Sequence, residues 1–174
     1  LDKVSLQLKW LYSFQFAGYY AADKQGYYRE EGLDVTLIEP LVSDTEYLVD
    51  KILSGEVNYA VWNSDLLYKR LSDKPLVLLA VIFQHSPSIV LSRKDAGIRT
   101  PSDLIGRKIA IGSALVEFQA MLKKEGLPLD SVEVVARSWG ISDIIDGKAD
   151  AILGYITNEP NQMRMQGIET SLIR

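Results

Sequence analysis

The sequence predicts an α/β protein with two lobes, each built on a mainly parallel sheet that is covered by helices. Strand-like and helix-like segments alternate along the chain, which is typical of this class. The 174 residues are 47% hydrophobic and 24% charged, a composition that can bury a core. A weak internal repeat indicates that one design occurs twice.

The first half of the chain predicts four strands separated by helices. The strands are expected at residues 4–10, 35–38, 57–61 and 76–83. The helices are expected at 16–24, from a cap at Ser43 or Asp44 to Leu53, and from a cap at Asn63 or Ser64 to Leu71. The run at 76–83 is entirely apolar, which predicts a central strand that is buried on both faces. This longest apolar run is much shorter than the roughly 20 residues of a membrane-spanning helix, so no transmembrane segment is predicted.

The same alternation begins again after Ser86-Pro87. Strands are expected at residues 89–92, 108–111, 132–136 and 149–153. Helices are expected to start at Thr100-Pro101 and to cover 114–124, 142–146 and 159–167.

The internal repeat places the division between the lobes. KILSGEVNYA at 51–60 is paralleled by DIIDGKADAI at 143–152, and EEGL at 30–33 by KEGL at 124–127. These pairs recur in the same order at nearly equal offsets, although helix–glycine–strand is also a generic transition in α/β proteins. We therefore expect a first lobe at residues 1–86 and a second lobe at 87–174.

Composition and motifs exclude several functional classes. The formal net charge of −4 lacks the basic excess that binds phosphate backbones, so nucleic acid is not an expected partner. The absence of cysteine excludes disulfides, thiolate nucleophiles and iron–sulfur clusters, and no cofactor or metal site is predicted. The single histidine, His85, has no nucleophile motif beside it and is expected at a hinge or on the surface.

Candidate ligand-binding residues follow the predicted strands. In open α/β sheets, ligands bind beyond the carboxyl ends of the strands, where loops and helix N-termini converge. The residues selected by this rule are Trp10, Gln15, Phe16, Trp62, Asn63, Ser113, Glu117, Trp139, Tyr155, Asn158 and Glu159. No catalytic residue is selected.

Each type of candidate has a structural alternative. The aromatic rings would suit a flat ligand held by stacking, but Trp10 and Phe16 could equally be core residues. Glu117 and Glu159 could accept hydrogen bonds from ligand amines, or could be first-turn carboxylates that the helix dipole favours. Asn63 could contact a ligand or simply cap a helix.

Several segments resemble the NMT1/THI5-like substrate-binding family. They are LQLKW at 6–10, FQFAGYYAA at 14–22, GYYREEGLDV at 26–35, GIRTPSDL at 97–104 and YITNEP at 155–160. In detail the chain is similar to the branch that serves as extracytoplasmic sensor domains of bacterial histidine kinases and diguanylate cyclases. The resemblance implies a type II periplasmic-binding-protein fold, with two α/β lobes and a ligand cleft between them.

The resemblance also implies a function and partners. Members of the wider family bind aminopyrimidine thiamine precursors, alkanesulfonates or related small molecules in the bacterial periplasm. We therefore expect a domain that closes around a small, flat nitrogenous ligand and signals to an attached, membrane-anchored kinase or cyclase module. The alternative is the binding component of an ABC importer, with a permease as partner.

The chain departs from the family pattern in two respects. Yeast-type members that synthesise the thiamine pyrimidine carry a cysteine-rich motif and a first-loop histidine. Here cysteine is absent and Phe16 stands where that histidine would be, so we expect no enzymatic activity. The family's domain continues past a segment like Gly167-Ile168 with a strand and helix that return to the first lobe, and we expect that return to be cut off at Arg174.

Overall fold

The computed structural model describes residues 1–40, 48–64, 66–112, 115–138 and 140–174. The chain forms two compact units, Leu1–Val77 and Leu78–Arg174. The predicted lobes, 1–86 and 87–174, stay a prediction. No helix in the described ranges is both long and apolar enough to cross a membrane.

The first unit is built on a three-stranded parallel sheet. Its strands are β1 (Asp2–Gln7), β2 (Leu33–Ile38) and β3 (Tyr59–Ala60), in the order β2-β1-β3. Its helices are α1 (Ala17–Gln25), α2 (Tyr27–Glu30), α3 (Leu48–Leu53) and α4 (Leu66–Leu71). The predicted helix caps at Ser43 or Asp44 lie outside the described residues.

Helix α1 ends at Gly26 as the sequence predicts. Gly26 has φ of 82°, and its N–H donates to the carbonyls of Ala22 and Asp23. This left-handed conformation costs glycine least, because it has no Cβ. The chain can therefore turn sharply into α2.

The prediction of a buried central strand at 76–83 is wrong. This segment forms no strand, and the side chains of Val77, Leu79 and Ile82 are 80%, 71% and 60% exposed. The composition favours a strand, but a strand also needs a hydrogen-bonded neighbour, and no described strand pairs with this segment. We refer to residues 76–83 below as the apolar segment.

The second unit is built on a five-stranded mixed sheet in the order β6-β5-β7-β4-β8. The strands are β4 (Ser88–Arg93), β5 (Lys108–Ile111), β6 (Glu133–Ala136), β7 (Ala151–Tyr155) and β8 (Thr170–Ile173), of which β8 was not predicted. β4 runs antiparallel to both β7 and β8, whereas β5 is parallel to β6 and β7. As a result, β4 begins at the edge where β5, β6 and β7 end.

Three α-helices and several short turns cover this sheet. The helices are α5 (Leu115–Lys124), α6 (Ser142–Ile145) and α7 (Glu159–Met165). Phe118 and Leu122 of α5 are each 1% exposed and pack into a buried cluster with Ile109 of β5. A second cluster includes Leu91, Ile152 and Met163. The two clusters hold the sheet between layers of apolar side chains.

A capping box fixes the turn before β5. One oxygen of Asp103 accepts hydrogen bonds from the Thr100 N–H at 2.8 Å, the Thr100 hydroxyl at 2.9 Å and the Arg99 N–H at 2.9 Å. These bonds, led by the one from the Arg99 N–H, lower the pKa of Asp103 below its ordinary value of 3.8. The predicted helix start at Thr100-Pro101 is confirmed as a short 3₁₀ turn, Pro101–Leu104.

Candidate functional site

Gln7 closes β1 at the carboxyl edge of the first unit's sheet. Its side chain is 2% exposed, and its Nε2 donates to the carbonyls of Leu8 at 3.3 Å and Ile38 at 3.2 Å. Because both partners are acceptors, the amide orientation is fixed with Nε2 towards them. Oε1 is then left buried, without a hydrogen-bond partner in the described part of the chain.

Four further polar atoms of the first unit share this condition. They are Nε1 of Trp62, Oδ1 of Asn63, Oε1 of Gln15 and the hydroxyl of Tyr20 in α1, each buried and unpartnered among the described residues. Trp62 and Asn63 follow β3, and Gln15 lies in the loop after β1, where its Nε2 donates to the Ser13 hydroxyl at 3.1 Å. Parallel strands bring their carboxyl ends to one edge, so the atoms of Trp62, Asn63 and Gln15 belong to the same side of the sheet.

A small recess opens at that edge. It is lined by Gln7, Leu8, Lys9, Pro40, Leu48, Lys51 and Trp62. Native proteins pair more than nine-tenths of their buried polar groups, and an unpaired one costs roughly 1–3 kcal/mol. Several such atoms, unpartnered among the described residues, lie on one edge, which makes this edge a candidate for hydrogen bonding to a ligand.

The aromatic candidates of the first unit occupy different environments. Phe16 is 2% exposed and packs against Tyr19, with ring centroids 6.5 Å apart. Trp10, in contrast, is exposed. Phe16 therefore has the burial of a core residue, and ligand contact by either ring stays a prediction.

Glu117 lies at the corresponding edge of the second unit's sheet. It occupies the first turn of α5, and its Oε2 accepts a 2.5 Å hydrogen bond from the hydroxyl of Ser88. Ser88 reaches this edge because β4 begins where the parallel strands end. The pair places a half-buried carboxylate at this edge of the sheet.

A buried ion pair joins the loop after β6 to the start of α7. Nη2 of Arg137 lies 2.6 Å from Oε1 of Glu159, and the two side chains are only 19% and 8% exposed. Oε2 of Glu159 accepts the Tyr155 N–H at 2.8 Å. Both oxygens of the predicted ligand acceptor Glu159 are therefore bonded within the protein.

The remaining candidates are either exposed or not described. Asn158 is exposed, and its Oδ1 accepts from Nε2 of Gln162 at 3.1 Å. Tyr155 is half-buried at the end of β7. Ser113 and Trp139 lie outside the described residues.

Sequence reasoning missed four residues of these edges: Gln7, Ser88, Arg137 and Asp143. Asp143 is 2% exposed, and its carboxylate accepts the Ser138 N–H at 2.7 Å. The signals for Gln7 and Arg137 were present, because a polar residue at the end of a strand and a cation directly after one both meet the edge rule. Ser88 could not be selected, since its place depends on the antiparallel direction of β4. No metal-binding cluster of acidic or histidine side chains occurs in the described ranges.

Comparison with known proteins identifies relatives over almost the whole chain. Residues 13–174 match the family described as NMT1/THI5 like. The riboflavin-binding protein RibY of Chloroflexus aurantiacus is 25% identical over 99% of this chain and 51% of its own. The formylaminopyrimidine-binding protein of Halalkalibacterium halodurans is 25% identical over 98% and 53%. A 4-amino-5-hydroxymethyl-2-methylpyrimidine phosphate synthase of Aspergillus parasiticus is 27% identical over 88% and 46%.

Solved structures show the same fold. The periplasmic aliphatic sulphonate binding protein SsuA of Escherichia coli superposes with a TM-score of 0.76 at 14% identity, over 100% of this chain and 60% of that chain. ArgBP of T. maritima superposes with a TM-score of 0.67 at 13% identity, over 98% and 76%. The predicted α/β fold of type II periplasmic binding proteins is therefore confirmed. The chain spans about half the length of the curated relatives it matches.

Proposed function

The chain belongs to the NMT1/THI5 like family, and on this basis we propose that it is a solute-binding domain that holds a small molecule without changing it. The observation that carries this proposal is a group of buried polar atoms at the carboxyl edge of the first unit's sheet, for which the described residues provide no hydrogen-bond partner. A ligand that hydrogen-bonds to them would offset their desolvation. The curated names of two relatives, which bind riboflavin and a formylaminopyrimidine, support the same class of activity.

The chemistry of this edge favours a ligand rich in N–H groups. Of the four buried atoms assigned to it that have no partner among the described residues, three are amide oxygens, which accept hydrogen bonds, and one is the indole N–H of Trp62. The oxygens of an anionic sulfonate would be repelled by these amide oxygens, because both carry negative charge. An amino group on a flat ring would instead donate hydrogen bonds to them. We therefore propose an aminopyrimidine or a related nitrogenous heterocycle as ligand.

Two alternative cellular roles are proposed for ligand binding. As a sensor, the domain would lie outside the cytoplasm of a bacterium and bias a membrane-anchored kinase or cyclase through a ligand-dependent population shift. As the binding component of an ABC importer, it would present the same ligand to a permease. The likeness to SsuA and ArgBP supports a binding fold in both cases.

A pyrimidine-synthesising activity is the second candidate because of the synthase relative. Two residue-level observations count against it. The chain has no cysteine, and Phe16, at the position of the expected histidine, is buried in the first unit. A buried phenyl ring offers neither a proton nor a ligand for a metal.

Calorimetry and thermal shift with three probes test the proposal. The probes are 4-amino-5-hydroxymethyl-2-methylpyrimidine, riboflavin and an alkanesulfonate. We expect the aminopyrimidine to bind and, at about 100 times its Kd, to raise the free energy of unfolding by roughly 2.7 kcal/mol. Recovery of the probe chemically unchanged is expected, since the domain is proposed to do no chemistry.

Matched variants connect binding to the first unit's edge. Asn63→Leu removes an unpartnered acceptor and should weaken aminopyrimidine binding about tenfold or more, because a desolvated hydrogen bond is lost. Asn161→Leu, an exposed control in the second unit, should leave the affinity unchanged. Binding of the alkanesulfonate alone would refute the proposed ligand class, and equal aminopyrimidine affinity of both variants would refute the proposed site.

A further inference from the structure

Glu159 joins three separate segments at the edge of the second unit's sheet. Its carboxylate bonds to the backbone of Tyr155 at the end of β7 and to the side chain of Arg137 after β6, while Glu159 itself begins α7. We infer that Glu159 is a positioning residue, which fixes Arg137 and the Tyr155 backbone so that this edge is ordered before ligand arrives. The inference rests on the proposed binding function, and it assigns Glu159 a different role from the predicted ligand acceptor.

The burial of Glu159 supports a role inside the protein. The residue is 6% exposed, and each carboxylate oxygen has a short bond, 2.6 Å to Arg137 and 2.8 Å to the Tyr155 N–H. Charge-assisted bonds of this length are roughly twice as strong as neutral ones. Because so little of the carboxylate is exposed, a ligand amine has little room to reach it beside these two donors.

Gly154 is the residue that permits this arrangement. A Cβ at position 154 would lie 3.0 Å from both Cδ and Oε2 of Glu159. The carboxylate therefore lies directly against the backbone of β7, and a side chain at position 154 would require Glu159 to shift by a few tenths of an ångström. The close approach brings Oε2 within reach of the next N–H, that of Tyr155.

Arg137 extends the arrangement to the loop after β6. The same Nη2 that binds Glu159 also donates to the carbonyl of Gly140 at 3.3 Å. Within the loop, the Ser138 N–H is bonded to Asp143 at 2.7 Å. Residues on both sides of position 139, which the sequence selects as a ligand contact, are therefore anchored.

An edge that is ordered in advance binds its ligand more tightly. Ordering a flexible side chain on binding weakens association by roughly two- to tenfold in affinity per side chain. The bonds of Glu159 reduce that cost at the Tyr155 backbone and at the Arg137 side chain. Loss of Glu159 should therefore weaken binding through its neighbours, without loss of a ligand contact.

Hydrogen exchange and ligand affinity, measured on the same variants, test this role. The variants are Glu159→Gln, Arg137→Lys and Gly154→Ala, with Glu117→Gln as the matched control carboxylate at the same edge. NMR measures exchange of the Tyr155 amide in ligand-free protein, and calorimetry measures the affinity for 4-amino-5-hydroxymethyl-2-methylpyrimidine. Thermal unfolding of each variant reports the global stability.

Positioning predicts a specific combination of results. The three test variants should speed exchange at Tyr155 about tenfold relative to core amides such as that of Ile109, and should weaken binding to a similar degree. The double variant of Glu159→Gln and Arg137→Lys should bind the probe no more weakly than the weaker of the two single variants. Glu117→Gln should leave exchange at Tyr155 unchanged.

Two outcomes overturn the inference. One is a loss of affinity in Glu159→Gln with normal Tyr155 exchange and normal binding by Arg137→Lys, which would make Glu159 a direct acceptor. The other is that every core amide exchanges faster to the same degree as the Tyr155 amide, which would mean that the Arg137–Glu159 pair stabilises the whole unit. If the unsubstituted chain does not bind the probe, the proposed ligand fails, while the exchange measurements still decide the positioning role.

Discussion

At the scale of single residues, the position of a side chain in the sequence predicts where it lies on the sheet, but it does not predict what that side chain binds. Position after a strand correctly predicted that Glu159 and Tyr155 would lie at one edge. It did not show that the oxygens of Glu159 are bonded to Arg137 and Tyr155. That depends on Gly154, whose missing Cβ lets the carboxylate approach the strand. Sequence spacing carries no signal for such a contact.

Asp103 gives a prediction for pH dependence at this scale. Its pKa is lowered in the folded state, mainly by the bond from the Arg99 N–H, so its contribution to stability is complete above the unfolded value of 3.8. That contribution is lost as the pH falls through the lowered folded pKa. We expect Asp103→Asn to be less stable than the unsubstituted chain at pH 7, with the difference shrinking below about pH 4.

Urea unfolding at a series of pH values measures this difference. Asp130→Asn, on an exposed turn without a described side-chain bond, serves as the control for the replacement of a surface carboxylate. If the difference in the free energy of unfolding between Asp103→Asn and the unsubstituted chain stayed constant from pH 7 to pH 2, the proposed cause would be wrong.

At the scale of elements, strands and helices with local signals were predicted well, and elements that depend on distant partners were not. Helix α1 has its terminating glycine, and α5 has an apolar face at residues 118 and 122. The apolar segment has the composition of a strand but no described strand to pair with, whereas β8 forms because it pairs with β4. Pairing is a property of the whole fold and cannot be read from a local window.

The apolar segment leads to a prediction about association. It exposes several large hydrophobic side chains in succession. Exposed apolar patches of this kind are typical of sites of protein association. We expect Ile82→Lys to reduce binding of a hydrophobic dye and self-association at high protein concentration. Dye fluorescence and analytical ultracentrifugation measure both effects.

The matched control for this prediction is Ile109→Val in the buried core of the second unit. It should leave dye binding unchanged, because Ile109 is not exposed. If Ile82→Lys lowered the unfolding temperature strongly and left association unchanged, the side chain would be part of a packed core instead.

At the scale of the whole molecule, the chain forms two compact units with cores of different size. The second unit contains two clusters of buried apolar residues around a five-stranded sheet. The first unit has three strands, and its buried side chains include Leu8, Phe16 and Val57. Among the described residues, most of the buried apolar side chains therefore lie in residues 78–174.

Phe118→Ala tests this distribution of stability. The ring is 1% exposed, and its loss should destabilise the second unit by about 3–5 kcal/mol through lost burial and the cavity left behind. Faster hydrogen exchange at Ile109 and Ile152 would report the effect. Val134→Ala, at a 41% exposed position of β6, should have little effect on the same amides.

The direction of β4 has a consequence for how the second unit could be used. β4 starts at the edge that carries Glu117, Arg137 and Tyr155, and its neighbour β8 ends at that same edge, with Val90 opposite Ile173. The first residues of β4 and the last residues of β8 are therefore neighbours at this edge. Because the Ser88 hydroxyl at the start of β4 bonds to Glu117, a change at Glu117 is expected to act directly on the beginning of that strand.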